Sequence, residues 1–112
     1  MTRKEFKESV FKVTNGKCCV PGCGCDAVDA HHILNRNLWT NGGYILSNGA
    51  ALCEKHHLEA ERGVITPRQC MEYMSVKKAD ITKPDAFKDV MTDEEYMYFL
   101  MNDEINAFGE FV

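Results

Sequence analysis

The sequence predicts a small α+β domain with an N-terminal helix, a cysteine-rich centre that contains two short strands and a helix, and helices at its C-terminal end. Three observations predict this arrangement: three separate helix-start signatures, two short apolar segments divided by a glycine- and asparagine-rich loop, and four cysteines within eight residues. A chain of 112 residues has room for one hydrophobic core. We therefore expect a single domain over residues 1–112, with parts at 1–16, 17–63 and 64–112.

The first element is a helix whose start is marked by a capping box of Thr2 and Glu5. Apolar residues recur at helical spacing from Phe6 to Val13. The pair Asn15-Gly16 then predicts the end of the helix.

The centre of the chain contains a turn-rich cysteine knuckle, two strands and a helix. Residues 18–25 (CCVPGCGC) include a Pro-Gly turn signal. Residues 27–34 and 47–52 are short and predicted to be extended. Residues 54–62 have good helix formers and are followed by glycine, which predicts a helix that ends there.

Two further helices are predicted after the centre. Thr66 and Gln69 form a capping signature with proline at the first helical position, and Thr92 and Glu95 form another. The last helix contains the apolar run YMYFLM at 96–101. We expect this broad apolar face to pack on the body of the domain, with a dimer contact as the alternative.

Charge is distributed unevenly along the chain. The formal net charge is −4, yet residues 1–79 carry 11 basic and 8 acidic residues, whereas residues 80–112 carry 2 and 9. A mildly basic body allows a phosphate-binding face. No apolar run approaches the roughly 20 residues that span a bilayer, and the start lacks an apolar signal core, so we expect a cytoplasmic protein without a membrane partner.

Six cysteines without an export signal indicate metal binding in a reducing compartment rather than disulfides. Tetrahedral zinc takes four sulfur or nitrogen ligands, usually as two close pairs brought together by the fold. A disulfide-stapled interaction protein remains an alternative, and Cys70, outside the pattern, is expected to be a buried thiol. The predicted structural zinc ligands are Cys18, Cys23, Cys53 and His56, with Cys19 or Cys25 as alternatives in the first pair.

A second group of polar side chains is compatible with a catalytic metal. His31 and His32 are neighbours on a predicted strand, so they point to opposite faces and can do different work. His57 and Glu61 are four residues apart on a helix and lie on one face. His31, His57 and Glu61 can therefore form a three-ligand site with open positions, which a catalytic metal needs.

The combination of a cysteine pair, DAHHI, an asparagine and LCxxHH resembles the HNH endonuclease family over roughly residues 17–62. The short phage and bacterial members are most similar. The resemblance implies a ββα-metal finger with a zinc knuckle, and it places the metal ligands on His31 and His57, the catalytic histidine on His32 and the central asparagine on Asn48. Glu61 departs from the histidine that is frequent there, and Asp29 is a rival ligand.

The resemblance also implies metal-dependent hydrolysis of DNA phosphodiester bonds. His32 would act as the general base, a divalent metal would stabilise the leaving 3′-oxygen, and Asn48 would hold the loop that orients His32. Carboxylate ligation favours Mg²⁺ or Mn²⁺. An inactive zinc module for nucleic-acid or protein binding is the alternative, and the C-terminal helices could form a homodimer or join a larger phage or bacterial complex. Candidate phosphate contacts are Arg36, Lys55 and Arg62.

Overall fold

The computed structural model describes residues 1–112 and confirms the α+β class. Four α-helices accompany one antiparallel sheet of two strands. The elements are α1 (Arg3–Val13), β1 (Asp29–His32), β2 (Gly49–Leu52), α2 (Glu54–Glu61), α3 (Pro67–Tyr73) and α4 (Asp93–Met101).

The three predicted capping boxes are all present. In each, the threonine side chain accepts a hydrogen bond from the third helical N–H, and the Glu or Gln at that position accepts one from the threonine N–H. α1 also ends as predicted, because Asn15 and Gly16 follow it in the left-handed region at φ 53° and 77°. These helix limits are local properties of the chain, which is why the sequence reveals them.

The sheet is shorter than the predicted strands. His31 faces Ala50 and His32 faces Gly49 across the ladder. Beyond His32, the backbone N–H groups of Ile33 and Leu34 donate to Asn48 instead of continuing the ladder. The pairing of β1 therefore stops at His32, two residues before the predicted end.

α1 covers the sheet and closes the core on that side. Phe6 and Val10 are buried, as is every residue of β2. Gly49 is required here, because a Cβ at that position would clash with Val10 and Phe6. The close approach of α1 to β2 fixes where the first turn of α1 lies relative to β1.

The C-terminal helices pack on the same core. Tyr96 and Leu100 of α4 are buried, which agrees with the expectation that its apolar face packs on the body. Arg68 of α3 forms a bidentate ion pair with Asp103, just after α4. No helix has the length and apolar character that a membrane crossing requires.

Candidate metal centres

The cysteine knuckle is a closed loop attached to the sheet. Its neck is an isolated antiparallel bridge between Lys17 and Asp26, whose side chains form an ion pair of 2.6 Å. Inside it, the N–H of Cys18 donates to the carbonyl of Cys25, and the N–H of Cys19 donates to the carbonyl of Ala51 in β2. The knuckle is thereby fixed beside the end of β2, where the next ligands begin.

The second pair of predicted zinc ligands lies where β2 passes into α2. Cys53 is the N-cap residue of α2, and His56 lies in the first turn of that helix. The Sγ of Cys53 is 3.2 Å from Nδ1 of His56 and 3.8 Å from Sγ of Cys23, and the Sγ of Cys18 is 3.5 Å from the same Nδ1. The fold therefore joins two pairs that are about thirty residues apart in sequence.

These separations match the edges of a zinc tetrahedron. With Zn–S bonds of about 2.3 Å and Zn–N bonds of about 2.0 Å, tetrahedral edges are about 3.8 Å between sulfurs and about 3.5 Å between sulfur and nitrogen. The four ligand atoms all lie within 4.8 Å of one another, and no other group of three or more Cys, His, Asp or Glu side chains is as close. Cys18, Cys23, Cys53 and His56 could therefore hold a metal such as zinc, as predicted.

The remaining cysteines lie outside this group. Cys25 is exposed, Cys19 is half-buried and Cys70 is buried, and all six thiols are free. Burial raises the pKa of Cys19 and of Cys70 to about 12 each, which keeps both protonated. The expectation of a buried thiol at Cys70 is confirmed.

Two ligand thiols differ in how readily they ionise. The backbone N–H of Cys25 donates to Cys23 and lowers the pKa of Cys23 to about 7. Burial raises the pKa of Cys18 to about 11. Metal binding at neutral pH therefore requires displacement of a proton from Cys18, since the thiolate is the ligand.

A separate cleft of about 440 Å³ contains the second group of predicted ligands. The ring centroids of His31 and His57 are 5.2 Å apart. Nε2 of His57 is 3.2 Å from Oε1 of Glu61 and 3.7 Å from Oδ2 of Asp29. The structure thus brings all four side chains to one cleft.

This second group is more open than the cysteine-based one. Its closest pair of potential ligand atoms, Nε2 of His57 and Oε1 of Glu61, is 3.2 Å apart. Neighbouring ligand atoms of an octahedral ion with bonds of about 2.1 Å are about 3.0 Å apart. The carboxylates are 46% and 54% exposed, so both have room to rotate toward His57. Burial lowers the pKa of His31 to about 4, so its ring is neutral at pH 7, the form that binds metals. The two carboxylates of this donor set suit Mg²⁺ or Mn²⁺, whereas its two imidazoles suit ions such as Zn²⁺ or Ni²⁺.

His32 lies on the other side of β1. Its ring stacks on Phe6 at 4.9 Å with an interplanar angle of 21° and meets the edge of Tyr44 at 5.1 Å. Burial and then the charge of Arg36 lower the pKa of His32, so the ring is neutral at pH 7. Its Nε2 is buried without a hydrogen-bond partner, so Nδ1 is the ring nitrogen left to exchange a proton with water.

The side chain of Asn48 is buried and bonded to backbone groups. It is 1% exposed, and its Oδ1 accepts from the N–H of Leu34 while its Nδ2 donates to the carbonyls of Leu34 and Gly43. The backbone carbonyl of Gly42, next to Gly43, favours the protonated form of the His32 ring. Asn48 therefore holds both segments that flank the His32 ring and does not itself reach the cleft.

The predicted phosphate contacts are only partly brought together. Arg36 lines the cleft, whereas Lys55 and Arg62 do not. Two cations that sequence reasoning did not select, Arg3 and Lys7, lie in a pocket with His32 and Arg36. Their spacing of four residues, which places them on one face of α1, was the available signal in the sequence.

Comparisons with family models, curated proteins and solved structures give no match. The function therefore has to be inferred from the geometry of the site.

Proposed function

We propose that the protein is a metal-dependent endonuclease of the HNH type that hydrolyses DNA phosphodiester bonds. The observation that carries this proposal is the division of two adjacent histidines between the faces of β1. His31 lies beside His57 near two carboxylates, whereas His32 lies beside Arg36 with its Nε2 buried and its Nδ1 available. A hydrolytic nuclease needs both functions next to each other: a site for a cation and a neutral base.

The residues that would hold the catalytic metal are His31 and His57, with Glu61, Asp29 or both. When bound there, Mg²⁺ or Mn²⁺ supplies positive charge that stabilises the leaving 3′-oxygen. His57 is the centre of this group, because both carboxylates lie next to its Nε2. The consecutive order β1, β2, α2 supports the assignment of this unit as a ββα-metal finger.

His32 acts as the general base in this proposal. Its depressed pKa keeps the ring neutral, so Nδ1, the ring nitrogen that is not buried, accepts the proton of the attacking water. Stacking on Phe6 and Tyr44 restricts the ring, and Asn48 holds the backbone on both sides of it. The guanidinium of Arg36 provides positive charge for the phosphate beside the base.

The cysteine-based metal centre lies at the start of α2, the helix that carries His57. Cys53 caps α2, and His56 immediately precedes His57 in that helix. A metal held by the knuckle and by these two residues ties α2 to the end of β2. We infer that this centre is structural and that it fixes His57 relative to His31.

The decisive experiment is a plasmid-cleavage assay with Mg²⁺, Mn²⁺ and Ni²⁺. We expect the wild type to nick supercoiled DNA and His32→Ala to lose roughly 100-fold or more of the rate, the usual contribution of a general base. Zinc content and melting temperature of His32→Ala serve as folding controls, and His32→Gln is the second variant if alanine destabilises the core. Cleavage by a folded His32 variant at the wild-type rate would refute the assignment.

A binding module without catalysis is the second candidate. One observation favours it: the cysteine-based group alone has the compact spacing of a metal site. Such a module would bind one zinc ion and leave the plasmid intact with every metal tested. The same assay therefore separates the two candidates.

A further inference from the structure

A second pocket lies on the His32 side of the sheet, between α1 and the segment that follows β1. Its volume is about 170 Å³. Cations from two separate parts of the chain line it together with the rings of His32 and Tyr44. These cations are Arg3, Lys7 and Arg36.

The charges in this pocket are not neutralised by neighbouring carboxylates. None of the three cations forms an ion pair, in contrast to Lys4, which is 4.0 Å from Glu8, and Lys17, which pairs with Asp26. Asp29 also lines the pocket, but its Oδ2 lies 3.7 Å from His57 on the other side of β1. The pocket therefore has a surplus of positive charge in a protein whose net charge is negative.

The packing of α1 on the sheet brings the cations of α1 to this pocket. Phe6, between the two α1 cations in sequence, stacks on His32, and Gly49 lets the helix approach the sheet closely. Arg3 and Lys7 are one helical turn apart and lie on one face. The contact of Phe6 with His32 thus holds this face of α1 at the pocket, where Nζ of Lys7 lies 5.5 Å from the centroid of the Phe11 ring.

The size of the pocket selects the kind of ligand. Pockets for drug-sized molecules are typically about 300–1,000 Å³, so this one suits a single small anionic group. Arginine and lysine are the usual partners of phosphate oxygens, through a planar fork and a point charge respectively. A phosphate in this pocket would lie directly beside the base of the proposed reaction.

We propose that this pocket binds a backbone phosphate of the DNA substrate through Arg3 and Lys7 of α1 together with Arg36. This inference rests on the proposed nuclease function and extends the substrate site beyond the ββα unit to the N-terminal helix. Arg3 and Lys7 position the phosphodiester against His32 and take no part in proton transfer.

The test compares two double variants of α1 that lose the same charge. Arg3→Gln with Lys7→Gln removes the pocket cations, whereas Lys4→Gln with Lys12→Gln removes two exposed lysines outside the pocket. DNA affinity is measured against salt concentration with zinc-loaded protein and no added catalytic metal, and KM and kcat are measured with Mn²⁺. For the pocket variant, we expect the slope of log K against log salt to fall by about 1 to 2, and KM to rise about tenfold more than in the control.

Two outcomes separate the failure of this inference from the failure of the nuclease proposal. If both variants change slope and KM equally while the wild type cleaves DNA, the pocket assignment is wrong and the nuclease stands. If the wild type neither binds nor cleaves DNA, the nuclease proposal fails, and titration with inorganic phosphate then tests the pocket by NMR of the His32 ring. If phosphate shifts the His32 ring signals in the wild type but not in the Arg3→Gln, Lys7→Gln variant, the pocket is a phosphate site. Equal shifts in both proteins would overturn that assignment.

Discussion

Asn48 and Leu34 are joined by two hydrogen bonds between the side chain of Asn48 and the backbone N–H and carbonyl of Leu34. Oδ1 of Asn48 accepts from the N–H of Leu34 at 2.9 Å, and Nδ2 donates to the carbonyl of Leu34 at 3.1 Å. A third bond, from Nδ2 to the carbonyl of Gly43, occupies the second amide hydrogen. The buried amide thus replaces the sheet ladder that ends at His32, and it connects three segments around the candidate base.

We predict that Asn48→Ala destabilises the fold by about 2 to 4 kcal/mol, because it leaves the buried N–H and carbonyl of Leu34 without partners. Urea unfolding of zinc-loaded protein provides the measurement. Asn37→Ala is the matched control, since Asn37 is exposed and its side chain makes no hydrogen bond. Similar losses in both variants would show that the Asn48 bonds do not stabilise the fold.

The local features of this fold could be predicted from sequence, as could the convergence of residues that share a metal-ligand spacing. The helix starts at Thr2 and Thr92 are predictable because all residues of a capping box lie within four consecutive positions. The pairing of Cys18 and Cys23 with Cys53 and His56 was predictable because zinc ligands occur in closely spaced pairs.

The roles of other residues depend on packing between distant segments. Arg3 lines a pocket with His32 because Gly49 allows α1 to approach the sheet closely, and nothing near residue 3 in the sequence indicates this arrangement. Lys55 shows the converse: it is close to the motif in sequence, yet it does not line the cleft. Proximity in sequence was a poor guide to which cations surround the site.

Removal of one zinc ligand should abolish the folded state. Structural zinc in small domains contributes an apparent binding free energy of about 10–16 kcal/mol, which matches or exceeds the usual stability of about 5–15 kcal/mol. We therefore expect Cys53→Ser to lose its bound zinc and its cooperative thermal transition. Elemental analysis and circular dichroism measure the two properties.

Cys25→Ser is the control for this substitution, because Cys25 is exposed and outside the group of four. It should retain one zinc per chain and the wild-type melting temperature. If Cys25→Ser loses zinc while Cys23→Ser retains it, Cys25 replaces Cys23 in the first ligand pair.

Zinc affinity should increase with pH. Between pH 7 and 8, Cys18, whose pKa is about 11, must release a proton on binding, which alone gives roughly a tenfold gain per pH unit. Between pH 6 and 7, Cys23, whose pKa is about 7, must also release a proton in a growing fraction of molecules, so the two thiols together should give roughly a 50-fold gain per unit there. Competition with a chromogenic chelator from pH 6 to 8 measures it, and an affinity independent of pH would contradict thiolate ligation.

The ion pair of Arg68 with Asp103 should stabilise the packing of α3 against the end of α4. Arg68 lowers the pKa of Asp103 below its ordinary value of 3.8. The contribution is therefore fully present above pH 4 and is lost as the pH falls through the lower folded pKa. Because Asp103 is 35% exposed and solvent screens the pair, we expect a coupling of about 1 kcal/mol.

A double-mutant cycle of Arg68→Gln and Asp103→Asn isolates that coupling at saturating zinc. Asparagine is suitable because residue 103 has a φ of 56°, which asparagine tolerates. The coupling should be constant from pH 8 to pH 5. A value that declines within this range would show that Asp103 does not have the depressed pKa on which the prediction depends.

The last prediction concerns which carboxylate completes the proposed catalytic metal site. Glu61 is 0.5 Å closer than Asp29 to Nε2 of His57, at 3.2 Å against 3.7 Å. It also comes from the same helix face as His57, so the two move together. We expect Glu61→Gln to raise the Mn²⁺ concentration for half-maximal cleavage at least tenfold and Asp29→Asn to raise it less, because a directly ligating oxygen contributes more than one that supports a ligand. Mn²⁺ binding followed by electron paramagnetic resonance gives the same comparison without catalysis, with unchanged zinc content as the folding control. If Asp29→Asn has the larger effect by both measurements, the strand carboxylate is the ligand and Glu61 supports His57 instead.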